Sequence, residues 1–441
     1  MRILSTFRAG SFAALVMASA AVVVLDSSPA DAQQYGTPVV TQRPSGARDT
    51  RADQSAREAS VLRRASPDSP AGFAVGSFVL YPRLEIDGEY DDNVFRTRNN
   101  REDDFIFRVR PGFSLVSDWA LHGVEFYAQG EIGRYLEFGS ESYEAFTVGG
   151  RTRFDITDEL AWVADGDVSR NRLSRGAPGI FGGPIGRNTI VNTYTLGTAL
   201  VYTGDPLFWR IGPRFRRADY VKGTPDSENF NIYEIAARVG YRITPDFSVF
   251  IDPSYQWVRY DRKTDPFGFK QNNEGFDVRF GIAYDVAQTV TAELGVGYFR
   301  RTYSDSRFKD QDGLSVLARL YWNPTDLISV EAEARRSLSE YRTTINNIAA
   351  VGNAIETYVG LRVGWEAASA LVVDAGGAFA HYKYRGQNVT ERYWFFDVGA
   401  RYYLNANFYV GPRYFYERRD ASPSSLNYTD NRFLLTIGAQ L

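Results

Sequence analysis

The residues able to do chemistry in this sequence are chiefly arginines and carboxylates, and many recur two positions apart. Arg108 and Arg110, Arg151 and Arg153, and Arg214 and Arg216 are such pairs. On an extended strand that spacing puts both guanidinium groups on one face, about 7 Å apart. Arginine stays charged and offers a planar fork to carboxylate, sulfate or phosphate. Arg210, Arg238, Arg279, Arg319 and Arg401 fall on the same faces, among carboxylates such as Glu85, Asp87, Asp165, Asp252 and Asp397. Two uses fit this pattern. Cross-strand ion pairs stiffen a wall, and unpaired charges bias what passes along it. Tyr127, Tyr321, Tyr358 and Tyr403 share these faces and offer flat surfaces for stacking sugar rings. Where acidic neighbours leave the arginines unpaired, an anion-preferring passage is expected, with uronic-acid polymers among the solutes.

Other chemistries are poorly supplied. There is no cysteine, so thiol catalysis and cysteine-ligated metals are excluded. Two histidines and two methionines leave little for transition metals; no metal and no cofactor is expected. His381 falls on the apolar face of its segment, and His122 lies beside the Ser117-Asp118 turn. Neither has a serine placed to act as nucleophile, so no catalytic residue is expected and the protein is not read as an enzyme. A formal charge of -3 argues against a nucleic-acid partner.

The elements that must hold these charges are strands. Phe78, Leu80, Pro82, Leu84 and Ile86 alternate with Arg83, Glu85, Asp87 and Glu89. Phe276, Val278, Phe280 and Ile282 alternate with Asp277 and Arg279, and Phe433, Leu435, Ile437, Ala439 and Leu441 repeat the pattern at the end of the sequence. The period of two recurs in segments of roughly 10–14 residues, near the length of a tilted membrane-crossing strand. Turns alternate short and long. Short ones fall at Ser117-Asp118, Thr157-Asp158, Thr244-Pro245-Asp246 and Asn405-Ala406. Long ones fall at Asp91–Asp103, Asn171–Asn188, Asp261–Glu274 and Arg342–Ala354. This is the outer-membrane arrangement of short periplasmic turns and longer outer loops. The expected fold is all-β: a closed antiparallel transmembrane β-barrel of about 18 strands, both termini periplasmic. Trp119, Phe208, Trp209, Phe247, Trp322, Trp365 and Phe408 lie near short turns. Tyr90, Tyr135, Tyr220, Tyr260, Tyr303, Tyr341 and Tyr382 lie near long loops. They are expected to form two interfacial aromatic belts.

Ahead of the strands, Arg2 and Arg8 precede an apolar run from Phe12 to Leu25, and Ala30-Asp31-Ala32 gives a small-x-small cleavage site. Residues 1–32 read as a signal peptide. Residues 33–75, rich in Pro, Ser, Gly and Arg, read as a disordered periplasmic leader, and residues 76–441 as the barrel.

Within the first hairpin, Pro82-Arg83-Leu84, Tyr90-Asp91-Asp92-Asn93-Val94-Phe95, Val109-Arg110-Pro111-Gly112-Phe113 and Ser117-Asp118-Trp119 resemble the putative beta-barrel porin 2 family of Gram-negative outer-membrane barrels. The resemblance implies a porin-like role and, for some members, association with exopolysaccharide export. It supplies no catalytic residues. Asp91-Asp92-Asn93 is a turn-opening cluster able to satisfy its own backbone, with a surface cation site as the alternative reading. The expected function is passage of polar solutes or an anionic surface polysaccharide. The alternative is a plugged barrel serving as scaffold or partner in an envelope or polysaccharide-export assembly. Expected partners are outer-membrane lipid and lipopolysaccharide, and polysaccharide or its export proteins.

Overall fold

The computed structural model describes residues 72–178, 189–222, 229–265, 268–286, 289–340, 353–384 and 389–441. The expected signal peptide, most of the expected leader, and Tyr341 lie outside them. Nineteen strands follow in order: β1 (Phe73–Val75), β2 (Phe78–Asp91), β3 (Asp104–Ser117), β4 (Gly123–Tyr135), β5 (Tyr143–Asp155), β6 (Leu160–Leu173), β7 (Thr189–Tyr202), β8 (Leu207–Lys222), β9 (Phe230–Thr244) and β10 (Phe247–Tyr260); then β11 (Asn273–Val286), β12 (Val290–Tyr303), β13 (Gln311–Thr325), β14 (Ile328–Glu340), β15 (Asn353–Ala368), β16 (Leu371–Tyr384), β17 (Val389–Tyr403), β18 (Phe408–Ser422) and β19 (Tyr428–Gln440).

From β2 onward, each strand pairs antiparallel with the next. The last pairs with the first, from Gln440 opposite Arg83 to Arg432 opposite Asp91. The wall is thus a closed barrel of 18 strands. Closure is what the lipid phase demands, because an open edge there would leave backbone donors and acceptors without partners. The short β1 folds back on β2 across Gly76, whose φ of +61 suits glycine. Phe73–Val75 therefore join the sheet, although the composition reads as leader up to residue 75.

Alternation fixes the two faces. Phe105, Phe107 and Phe113 of β3, Val359 and Leu361 of β15, and Leu435 and Ile437 of β19 point outward and are exposed. Their neighbours Arg108, Glu356 and Thr436 point inward and are buried. So large an exposed apolar surface belongs in lipid. No described helix is long and apolar enough to cross a membrane, so strands do the crossing. The connections that follow the odd-numbered strands from β3 to β17 are all of five residues or fewer and lie, with β1, at one end of the barrel, while the longest, such as those after β2 and β10, lie at the other.

The aromatic belts need correcting. Trp119, Trp322, Trp365 and Phe408 are exposed near short turns, as expected. Phe208 instead sits on the inward parity with Arg210, buried, with the Arg242 guanidinium 5.1 Å from its ring centre. Tyr135, Tyr220 and Tyr382 are likewise buried on the inward side. Nearness to a strand end does not make a residue interfacial; its parity decides. The outward aromatics towards the long loops include Tyr90, Phe105, Tyr233, Tyr298 and Trp394.

Candidate functional site

The barrel interior carries the charges that the alternation predicts, and most are paired. On β2–β4, Arg108 is buried and holds Glu89 through two hydrogen bonds of 2.7 and 2.9 Å, with Tyr143 Oη at 3.2 Å. Arg110 reaches Glu85 at 3.0 Å and Asp87 at 2.9 Å. Arg151 pairs with Glu125 at 3.1 Å and Arg153 with Asp155 at 2.8 Å. Arg214 holds Asp165 at 2.8 Å. Arg238 forks onto Asp252 at 2.6 and 2.7 Å and reaches Glu293 at 3.0 Å, its guanidinium 3.9 Å from the Phe250 ring centre. Arg279 lies 3.8 Å from Asp277. Arg210, Arg216 and Arg401 also have interaction partners. Arg319 is placed by register between Glu293 and Glu333, carboxylates that engage Arg238 and Arg335.

The paired-wall use of these charges therefore accounts for the arginines best placed for an anion track. Arg108 and Arg110, adjacent on one face, are each neutralised by carboxylates. Such bidentate pairs rigidify the wall and leave little net charge for a solute to feel.

One group stands out that sequence reasoning did not single out. Arg362, Asp374, Asp397 and Arg413 form a closed ring on β15–β18. Arg362 donates to Asp374 at 2.5 Å and to Asp397 at 2.6 Å; Arg413 donates to Asp374 at 2.5 Å and also to Asp397. Gly376 and Gly399 lie beneath the guanidinium groups, where a Cβ would come within 2.8 Å of them. The only signal in the sequence was alternation of opposite charges over facing glycines. Arg362 keeps 37% of its side-chain surface exposed and Arg151 keeps 52%. The wall beside these two arginines is therefore not fully covered by other described residues.

The four tyrosines divide. Tyr127 carries Arg151 at 5.6 Å from its ring centre, and Tyr358 carries Arg335 at 4.2 Å. Tyr321 is half-buried on β13. Tyr403 is buried against Tyr409, ring centres 5.7 Å apart, so it turns no ring face to the lumen. The stacking surface read from the sequence is smaller by that residue, because an inward ring is covered when a neighbouring ring is large enough.

Towards the long loops the inward face changes character. Val191, Tyr220, Phe230, Ile232 and Val258 form one buried apolar cluster, and Ala380, Tyr382, Tyr384 and Tyr393 belong to another. A described part of the β6–β7 connection spans between walls at this end. Tyr393 Oη lies 3.0 Å from both the Gly176 carbonyl and Glu391, which share its one proton, and Tyr428 Oη, which donates to Glu417, lies 3.3 Å from the same carbonyl, from strands that do not adjoin β6. Arg175 places its guanidinium 5.0 Å from the Phe95 ring centre and donates to the buried Glu141 at 3.0 Å through Nε, and Arg172 donates to Glu141 at 2.6 Å. Burial pushes the Glu141 carboxyl up, but the Arg175 and Arg172 guanidinium groups outweigh it and hold it below its ordinary value.

The Asp91-Asp92-Asn93 cluster has a definite place: it clasps the barrel's join. Asp92 accepts from Asn431 through its backbone N–H at 2.7 Å and its side chain at 2.6 Å. Asn93 Nδ2 donates to the Thr429 carbonyl at 2.9 Å. Asp91 and Asp430 both hold Arg96 at 3.0 Å, fixing that residue at φ 55, and Arg432 lies 2.9 Å from Asp430. Phe95 packs edge-on to Phe138 at 4.8 Å. Carboxylate oxygens of Asp91, Asp92 and Asp430 come within 4.8 Å of one another. Arg96 and Arg432 stand among these carboxylates, so ion pairs clasp the join. Of the two histidines, His122 stacks on Phe154 at 3.9 Å and accepts from the Asp155 N–H at 3.2 Å, and His381 stands opposite Thr357 and Arg392.

A closed 18-stranded wall, apolar outside and charge-lined inside, defines an outer-membrane β-barrel of the porin type. The chain belongs to the family described as Putative beta-barrel porin 2, whose model matches residues 66–441. Family and fold point to a channel rather than an enzyme. Among solved structures it is similar to three barrels of Pseudomonas aeruginosa. For OccK2 (OpdF) the identity is 12%, covering 84% of this chain and 99% of that one, with a TM-score of 0.46. For OpdO the figures are 14%, 82%, 97% and 0.43. For OpdK with vanillate they are 12%, 82%, 99% and 0.43. No curated protein matches the chain.

Proposed function

We propose that the barrel is a constricted, weakly charge-selective channel for small polar solutes, with its short turns and both chain ends on the periplasmic side. The observation that carries this is the combination of ion-paired inward charges that stay partly exposed, at Arg151 and Arg362, with a long-loop end bridged through Gly176, Tyr393 and Tyr428. A paired wall hydrates polar solutes without holding one sign strongly, and a bridge across the mouth limits their width. An anionic polysaccharide draws less support, because Arg108 and Arg110 are already neutralised. The bridged mouth also favours, as a second reading, a closed barrel acting as scaffold in an envelope assembly. Planar-bilayer recording separates the two. The channel predicts stable conductance steps from the full chain. Silence from both the full chain and one lacking residues 33–72 would remove it in favour of the scaffold.

A further inference from the structure

Lipid-facing arginines near the long loops are nearly all neutralised by a carboxylate on the same face. Arg134 pairs with Glu144, Arg217 with Asp261 at 2.7 Å, Arg259 with Glu274 at 2.5 Å, Arg300 with Asp310 at 2.9 Å and Arg418 with Asp420 at 3.0 Å. On β14–β17 the pattern breaks. Arg336, Thr357, His381 and Arg392 are successive cross-strand partners in one row, spanning about 14 Å of wall at the usual strand spacing. Lys383 stands two residues beyond His381 on the same outward face. Arg336 donates to Thr357 Oγ1 at 2.7 Å. The carboxylate opposite Arg392 is Asp420, and Arg418 holds it with both oxygens. Among the described residues, Arg336, Lys383 and Arg392 have no carboxylate partner.

Directly below this row the wall turns apolar. Trp394 follows Arg392 on the outward face and packs on Phe379 at 4.6 Å between ring centres, with Val359 and Leu361 exposed beside them. An amphipathic tryptophan at that height marks the headgroup level of a bilayer. Three uncompensated cations are therefore held at the depth where lipid phosphates lie, and basic clusters at that depth bind anionic headgroups.

We propose that Arg336, Lys383 and Arg392, with His381 as a further donor, form a docking row for the phosphate groups of an anionic lipid in the leaflet around the long-loop end. The inference rests on the barrel spanning a membrane and is independent of what the lumen conducts. The test uses the full chain, folded in neutral detergent, and native mass spectrometry with bis-phosphorylated lipid A, dephosphorylated lipid A and inorganic phosphate as probes. Phosphorylated lipid A should bind at least about tenfold more tightly than the dephosphorylated form. The triple variant Arg336→Gln, Lys383→Gln, Arg392→Gln should lose that preference. Arg300→Gln, whose partner is Asp310, should keep it. Heat-modifiable gel mobility reports that each variant is folded, and Arg336→Lys with Arg392→Lys should retain binding. Equal binding of the two lipid forms, an unchanged preference in the triple variant, or saturation by inorganic phosphate at the lipid's own concentration would overturn the assignment.

Discussion

The hydroxyl of Tyr393 lies 3.0 Å from the carbonyl of Gly176, joining β17 to a connection that leaves β6. Tyr428 approaches the same carbonyl, and a Cβ on Gly176 would fall 2.0 Å from its hydroxyl oxygen. Gly176→Val must therefore push the connection off both tyrosines. Its expected effect is a wider mouth: larger single-channel conductance with the wall intact by gel mobility. Tyr393→Phe removes the hydroxyl shared by Gly176 and Glu391, a loss of about 1–3 kcal/mol, and should give more frequent current fluctuation rather than a new level. Unchanged conductance in Gly176→Val would show that the bridge does not limit passage.

The Glu141 latch carries a pH signature. Its carboxyl is held below the ordinary value, so the stabilisation is complete above the ordinary glutamate range near ~4.3 and is lost as pH falls through the lowered folded-state value. Current noise should stay constant from neutral pH down to about that range and rise below it. Glu141→Gln should show the raised noise at every pH. A transition centred above the ordinary range would contradict the assignment.

Ionic balance in the lumen should be tunable at the ring on β15–β18. Asp374→Asn leaves Arg362 and Arg413 facing one carboxylate, Asp397, and should shift reversal potentials under a salt gradient towards anions. Arg362→Gln should shift them towards cations. Shifts of the same sign in both variants would place the ring outside the conduction path.

At the join, Asp91→Ala removes a carboxylate from Arg96 while both remain out of water. Arg96 keeps Asp430, so the loss is that of its charge-assisted hydrogen bonds to Asp91, about 1.5–3 kcal/mol. The temperature at which the folded gel band converts should drop markedly, and less in Asn93→Ala, which loses neutral hydrogen bonds to Thr429 and Thr97. Equal temperatures for Asp91→Ala and the unmodified chain would show that the clasp adds nothing to stability.

Strands and faces were legible in the sequence because a period of two leaves no choice: once Phe105 and Phe107 face lipid, Arg108 faces inward. The closure of the barrel was legible because strands in lipid cannot leave an open edge. Which carboxylate each arginine takes was not. Arg108 stands opposite Asp87 in register yet bonds the diagonal Glu89, a choice made by side-chain reach. Tyr135, Tyr220 and Tyr382 were misplaced because distance to a loop was weighed above parity. Gly176 gave no local sign of its role; its partners lie 217 and 252 residues away.

The clasp also sets an order in time. Asn93 meets Thr429 across 336 residues, and Asp92 meets Asn431 across 339. Closing so long a loop is entropically costly and slow, so hairpins can form early while these bonds must come last. A chain cut short by even the final strand has every other pairing available and still no way to seal. The residues 91–93 thus act as a completeness check, met only when β19 has arrived beside β2.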